Sequence, residues 1–180
     1  MKKTLKIVLI IVGILLLGLI LFMIFKKPKP FNELNVPITS YVSNQTDVEY
    51  LKPIIYAGLY ELKIDSIYLI IKPMNKEVAN AEIGDDGYDL EAFILGNEKQ
   101  FMIYIKNMSR TEYIKVLTHE LIHLEQYNQG KLSRVDKNTV KWDGKLYIPS
   151  EIPYMERPWE SDAFNRANQL EKDIRELLFH

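Results

Sequence analysis

Two of the chain's three histidines, His119 and His123, stand four residues apart, and Glu120 directly follows the first, in Thr118-His119-Glu120-Leu121-Ile122-His123. On a helix, residues i and i+4 share a face, so both imidazoles can point at one ion. Glu120 lies about 100° further around the axis, beside the open position of such an ion. This is the pattern a zinc hydrolase needs. The imidazoles hold the metal, the metal lowers the pKa of a bound water, and the carboxylate takes the water's proton.

A helix is therefore required, and the flanking residues specify one. Ser109-Arg110-Thr111-Glu112 reads as a capping box, and Gly130 suits the C′ position that ends the helix. Between them Ile114, Leu117, Leu121 and Leu124 form an apolar stripe at three- and four-residue spacing. The expected helix runs from about Arg110 to Gln129, with one side on a core and the histidine side next to it.

A catalytic zinc wants three protein ligands and an open position. The third histidine, His180, is the last residue, and the chain has no cysteine. A carboxylate is the remaining option. Pro158 suits the first position of a final helix that continues to about Phe179. On it Glu160 heads the stripe Ala163, Phe164, Ala167, Leu170, Ile174, Leu177 and Leu178. An inward carboxylate needs a compensating partner, which a cation would supply. Glu160 ranks first and Glu156 second, while Glu125 and Asp162 read as solvated. The donor set argues for Zn2+, although manganese or cobalt suits the same ligands. Tyr147, Tyr154 and Arg157 are the candidate donors to a developing oxyanion.

The motif at 118 to 123, with Arg157-Pro158-Trp159-Glu160-Ser161-Asp162-Ala163-Phe164, resembles the zincin metallopeptidases of the compact gluzincin-like type. The resemblance implies an α+β zincin-like domain, with an active-site helix under a small, mostly antiparallel sheet. It also implies a second helix bearing the glutamate. By it His119, His123 and Glu160 are metal ligands, Glu120 is the general base, and the substrate is a peptide or protein. One position departs. Larger gluzincins carry an aspartate four residues after the glutamate to orient a ligand histidine, and here that residue is Phe164.

The rest of the chain must position these groups. Its 180 residues, 47% hydrophobic, suit one globular domain and an additional segment. Ile7 to Phe25 gives 19 uncharged residues, which at 1.5 Å each approach the roughly 30 Å core of a bilayer. No small residues follow to form a cleavage site, so residues 1–27 are expected to be an uncleaved anchor. Lysines flank it on both sides. The expected orientation keeps the short basic N-terminus inside and makes the following domain extracytoplasmic.

The first 30 residues hold six lysines and no acids, leaving 17 basic against 24 acidic groups in the remainder. That acidic balance excludes a nucleic-acid partner as an expectation. Residues 28–46 read as a linker and 47–180 as the domain. Thr46-Asp47-Val48-Glu49 reads as a second capping box, with Pro53 able to delay the helix start to Lys52. Strands are expected at 66–72, 88–95 and 100–106, the last two joined at Gly96-Asn97-Glu98-Lys99, with a short strand at 79–83. Gln100 to Lys106 is the expected edge strand beside a bound peptide. Thr139 to Ile148 reads as a hairpin turning on Asp143-Gly144.

The non-catalytic alternative is a tethered interaction domain that keeps zinc as a structural staple. Glu120 argues against it, because a structural site needs no base.

Overall fold

A computed structural model of the chain describes residues 12, 15–17, 41–44, 50–83, 90–97 and 99–179. Among them no helix is long and apolar enough to cross a membrane. The expected anchor at Ile7 to Phe25 lies almost wholly outside the described residues, as do the capping pattern at 46–49 and His180.

The described part is a mixed α+β domain. In order it contains β1 (Tyr41–Asn44), α1 (Leu51–Glu61), β2 (Tyr68–Pro73), α2 (Lys76–Ile83), β3 (Ala92–Asn97), β4 (Gln100–Ile105) and α3 (Arg110–Asn128). After these come β5 (Leu132–Arg134), β6 (Val140–Trp142), β7 (Lys145–Tyr147), 3-10 turns at Pro149–Glu151 and Tyr154–Glu156, and α4 (Pro158–Phe179).

Among the described residues one sheet has the order β1-β2-β4-β3 and a second the order β5-β6-β7. The β3–β4 hairpin and the whole second sheet are antiparallel. The β1–β2 and β2–β4 pairings are parallel, so the larger sheet is mixed rather than mostly antiparallel. A second correction concerns the edge. Among the described residues β4 is interior, flanked by β2 and β3, and β3 ends the sheet on that side. Proximity in sequence to α3 does not decide lateral order; β4 is interior because its other side pairs in parallel with β2.

Alternation along β4 shows how the layers form. Phe101, Ile103 and Ile105 are buried in the main core. Tyr104, on the other face, joins Phe93 and Met74 in a smaller cluster. Successive strand side chains point to opposite faces, so one strand serves two layers. The main core unites the sheet with Leu51, Ile54, Ile55 and Leu59 of α1, the predicted stripe of α3, and Ala163, Leu170, Ile174 and Leu178 of α4. Val78, Ala79 and Ile83 of α2 pack on the smaller cluster. The expected strand at 79–83 is thus a helix. Asn75 starts it, its side-chain Oδ1 accepting from the Val78 amide at 2.8 Å.

Other boundaries differ for local reasons. Tyr41–Asn44, expected within the linker, pairs with β2 as a strand. Helix α1 begins at Leu51 with no side-chain cap, which places Pro53 in its first turn, where a missing N–H is harmless. In the β3–β4 hairpin Asn97 pairs with Gln100, a tighter connection than the expected turn. Gly96 permits it, because a Cβ there would lie 2.2 Å from Phe101 Cδ1 and 2.6 Å from the Gln100 carbonyl oxygen. The β6–β7 turn is as expected, with positive φ at both Asp143 (45°) and Gly144 (82°), which suits the right-handed twist of a hairpin.

Candidate metal centre

Helix α3 is fixed at both ends and along one side. Its N-terminus carries the full capping box: the Ser109 amide donates to Glu112 Oε2 at 2.8 Å, and the Ser109 hydroxyl accepts from the Glu112 amide. At its C-terminus the Gly130 amide donates to the Tyr127 carbonyl and the Lys131 amide to the Gln126 carbonyl. With φ of 69° at Gly130, this is a Schellman motif. Ile114, Leu117, Leu121 and Leu124 are all buried, each contributing about 1.5–3 kcal/mol. That stripe sets the rotation of the helix and turns His119 and His123 toward α4.

Helix α4 is set against α3 by its own stripe. Ala163 is fully buried, and small residues there allow close approach. Glu160, in its first turn, is buried and faces the two imidazoles. His119 Nε2 and His123 Nε2 are 3.0 Å apart, and Glu160 Oε2 lies 3.1 Å from the first and 3.2 Å from the second. Three polar atoms from two helices therefore form a nearly equilateral triangle, and the donor atoms of the three residues suit one metal ion.

The chemistry of this donor set fits zinc. Bonds of ~2.0–2.1 Å at tetrahedral angles separate ligand atoms by about 3.3–3.4 Å, close to the observed triangle. Two imidazole nitrogens and a carboxylate oxygen converging on one point are electron-rich groups that a cation draws together. Their electrostatics express the same coupling. Burial opposes a charge on His123, but the Glu160 carboxylate overcomes it and raises its pKa to about 9. Burial likewise opposes ionisation of Glu160, yet His123 and His119 hold its carboxyl well below the usual carboxylate range.

Glu120 stands apart from the triangle. It is buried, and its Oε2 has no hydrogen-bond partner among the described residues. Burial raises its pKa, against the pull of His123 and His119, and the Glu160 charge adds to the rise. A carboxylate with an uncommitted oxygen and heightened basicity is suited to accept a proton.

Glu120, His123 and Glu160 open onto a cavity of about 150 Å³, also lined by β3 and by Tyr127, Arg134, Tyr154 and Arg157. That volume admits a benzene-sized group. β3 forms one wall as a sheet edge, while Arg134 and Lys137 make the wall on the β5–β6 side basic.

The oxyanion-donor candidates separate here. Tyr154 is next to the triangle: burial raises its hydroxyl pKa, and the Glu160 and Glu120 charges with a hydrogen bond to Glu160 raise it further. Arg157 is buried on the cavity wall, over the Tyr154 ring, with its Nε donating to the Ile152 carbonyl at 3.3 Å. Tyr147 instead packs edge-on against Trp159, with ring centroids 5.8 Å apart, in a cluster with Leu132 and Val140. It is not among the residues lining the cavity. Glu156, second in rank as a ligand, is exposed on a 3-10 turn before α4 and outside the cluster.

Two contributors, Gln126 and Asp162, escaped sequence reasoning, and the place of a third, Phe164, was marked there only as a departure. Gln126 Oε1 lies 2.8 Å from His123 Nδ1. Asp162, expected to be solvated, accepts from Gln126 Nε2 at 2.8 Å. Phe164 lays its ring 4.5 Å from that of His119, in the place where the resemblance expects an orienting aspartate. Gln126 and Asp162 each follow a ligand by two or three residues on its own helix, and that spacing was their only sequence signal. The chain matches no family model, and comparison with curated proteins and with solved structures finds no match.

Proposed function

We propose that the chain is a zinc-dependent metallopeptidase tethered to a membrane by its apolar N-terminal segment. The observation that carries this reading is the triangle of His119, His123 and Glu160 with the uncommitted, buried Glu120 beside it. A zinc ion held by those three residues would lower the pKa of a water and polarise the scissile carbonyl.

The chain's own groups do the remaining work. Glu120 accepts the proton of the attacking water and passes it to the departing amine. Tyr154 and Arg157, on the cavity wall, supply hydrogen-bond donors for the oxyanion. The edge of β3, outermost on its side of the sheet among the described residues, offers backbone groups to an extended peptide, with the cavity receiving its side chains. Arg134 and Lys137 favour substrates with a carboxylate on that side.

The test is Glu120→Gln in the full-length chain purified in detergent, assayed on a mixed peptide library. Zinc content should match the unaltered chain, while hydrolysis falls by about 10²–10⁴-fold. Retained cleavage in the variant would overturn the assignment of Glu120, and no cleavage by the zinc-loaded unaltered chain would overturn the peptidase reading.

A further inference from the structure

Gln126 is three residues beyond His123 on α3 and is 1% exposed. All of its side-chain polar capacity is directed. Nε2 donates to the Trp159 carbonyl at 3.0 Å and to Asp162 Oδ2 at 2.8 Å, and Oε1 faces His123 Nδ1 at 2.8 Å. An amide presents one donor end and one acceptor end. Two acceptors on the α4 side leave Nε2 only one place to go, because the flipped amide would press its oxygen against two oxygens. Oε1 must therefore face the imidazole, so Nδ1 of His123 is a protonated, donating nitrogen, and in the neutral imidazole that a metal binds the lone pair lies on Nε2, toward the shared point.

Asp162 is itself held as an acceptor. Arg166, one turn further along α4, donates to Asp162 Oδ2 at 3.2 Å and also pairs with Glu125 of α3. The direction of donation is continuous from Arg166 to Asp162, and from Gln126 to the same carboxylate. The same amide also grips the Trp159 carbonyl, one residue before Glu160. Ligands from two helices are thereby registered by one side chain. His119 has no equivalent: its Nδ1 is buried without a partner among the described residues, and Phe164 packs on its ring.

From this geometry we infer that Gln126, backed by Asp162 and Arg166, is the positioning residue of the metal centre, fixing the tautomer of His123 and the placement of Glu160 at once. The inference rests on the proposed zinc site, but not on peptidase activity. Outer partners of this kind alter metal affinity by about 10–100-fold when removed.

The experiment measures zinc affinity by chelator competition, and the absorption spectrum at saturating cobalt, in the full-length chain and its variants. Gln126→Met, close in size but without donor or acceptor, should weaken zinc 10–100-fold and shift the cobalt bands. Gln126→Glu, nearly the same shape, should also weaken binding, because its second oxygen faces Asp162 and the Trp159 carbonyl. Adding Asp162→Asn to that variant supplies an amide donor and should recover part of the loss. Asp162 is part-exposed, so Asp162→Ala should disturb the fold less than a Gln126 substitution, and it should weaken zinc by about 10-fold. Affinity and cobalt bands unchanged in Gln126→Met, or in Asp162→Ala where the former does not fold, would overturn the inference alone. Absence of zinc binding by the unaltered chain would instead overturn the site on which it rests.

Discussion

Glu160 Oε2 lies 3.2 Å from His123 Nε2, across 37 residues of chain and between two different helices. Neither side chain achieves this by itself. The Leu117/Leu121/Leu124 stripe rotates α3, Ala163 lets α4 approach, and the amide of Gln126 ties the Trp159 carbonyl to the histidine's own helix. The contact therefore summarises the packing of the whole helix pair.

Tyr154 should affect turnover while zinc content at saturating metal is retained. Replacement by Phe keeps the ring that packs against Phe164 at 6.2 Å and removes only the hydroxyl. If that hydroxyl serves the oxyanion, kcat falls by about 10²–10³-fold at unchanged KM. Steady-state kinetics beside zinc analysis makes the check, and equal kcat would assign the role to Arg157.

Gly96 should resist even a methyl group. The clash at 2.6 Å is with the Gln100 backbone carbonyl, which cannot turn aside as a side chain can. Gly96→Ala should destabilise the domain by about 1–3 kcal/mol, read as a lower denaturant midpoint. Because β3 walls the cavity, peptide affinity should weaken as well.

The capping box makes one contribution to stability that depends on acid. Ser109→Ala should cost about 1 kcal/mol. Glu112, its partner, has a pKa lowered by its hydrogen bonds with the Ser109 side chain and backbone. A carboxyl with a depressed folded-state pKa stabilises the fold above its unfolded value, near 4.5, and that contribution is lost as pH falls through the folded value. Glu112→Gln should therefore flatten the loss of stability below pH 4.5, as seen in denaturation midpoints across pH 3 to 6. An identical acid limb in the two proteins would contradict the assignment.

Local signals were legible wherever one stretch of chain determined them. The Ser109 cap, the Gly130 terminus, the Asp143-Gly144 turn and the start of α4 at Pro158 all depend on neighbouring residues, and all are present. Glu160 was found because it continues an apolar stripe. Lateral order in the sheet was not legible, since the placement of β3 outside β4 follows from the parallel pairing of β4 with the distant β2, which neither strand's own residues encode. Nor was the pairing of Gln126 with Asp162. On its own helix Asp162 lies away from the buried stripe, and only the approach of α3 brings an amide to it. The segment at 79–83 misled because its alternation over a few residues suits a strand, whereas Asn75 and the Met74/Phe93/Tyr104 cluster favour a helix.

The most direct measurement is metal stoichiometry by elemental analysis of the purified full-length chain, beside Glu160→Ala. About one zinc per chain is expected and, in the variant, affinity reduced by more than ~100-fold, beyond what outer partners contribute. A chain that binds no zinc when supplied with it, or a variant that binds as tightly as the original, would contradict the three-residue site.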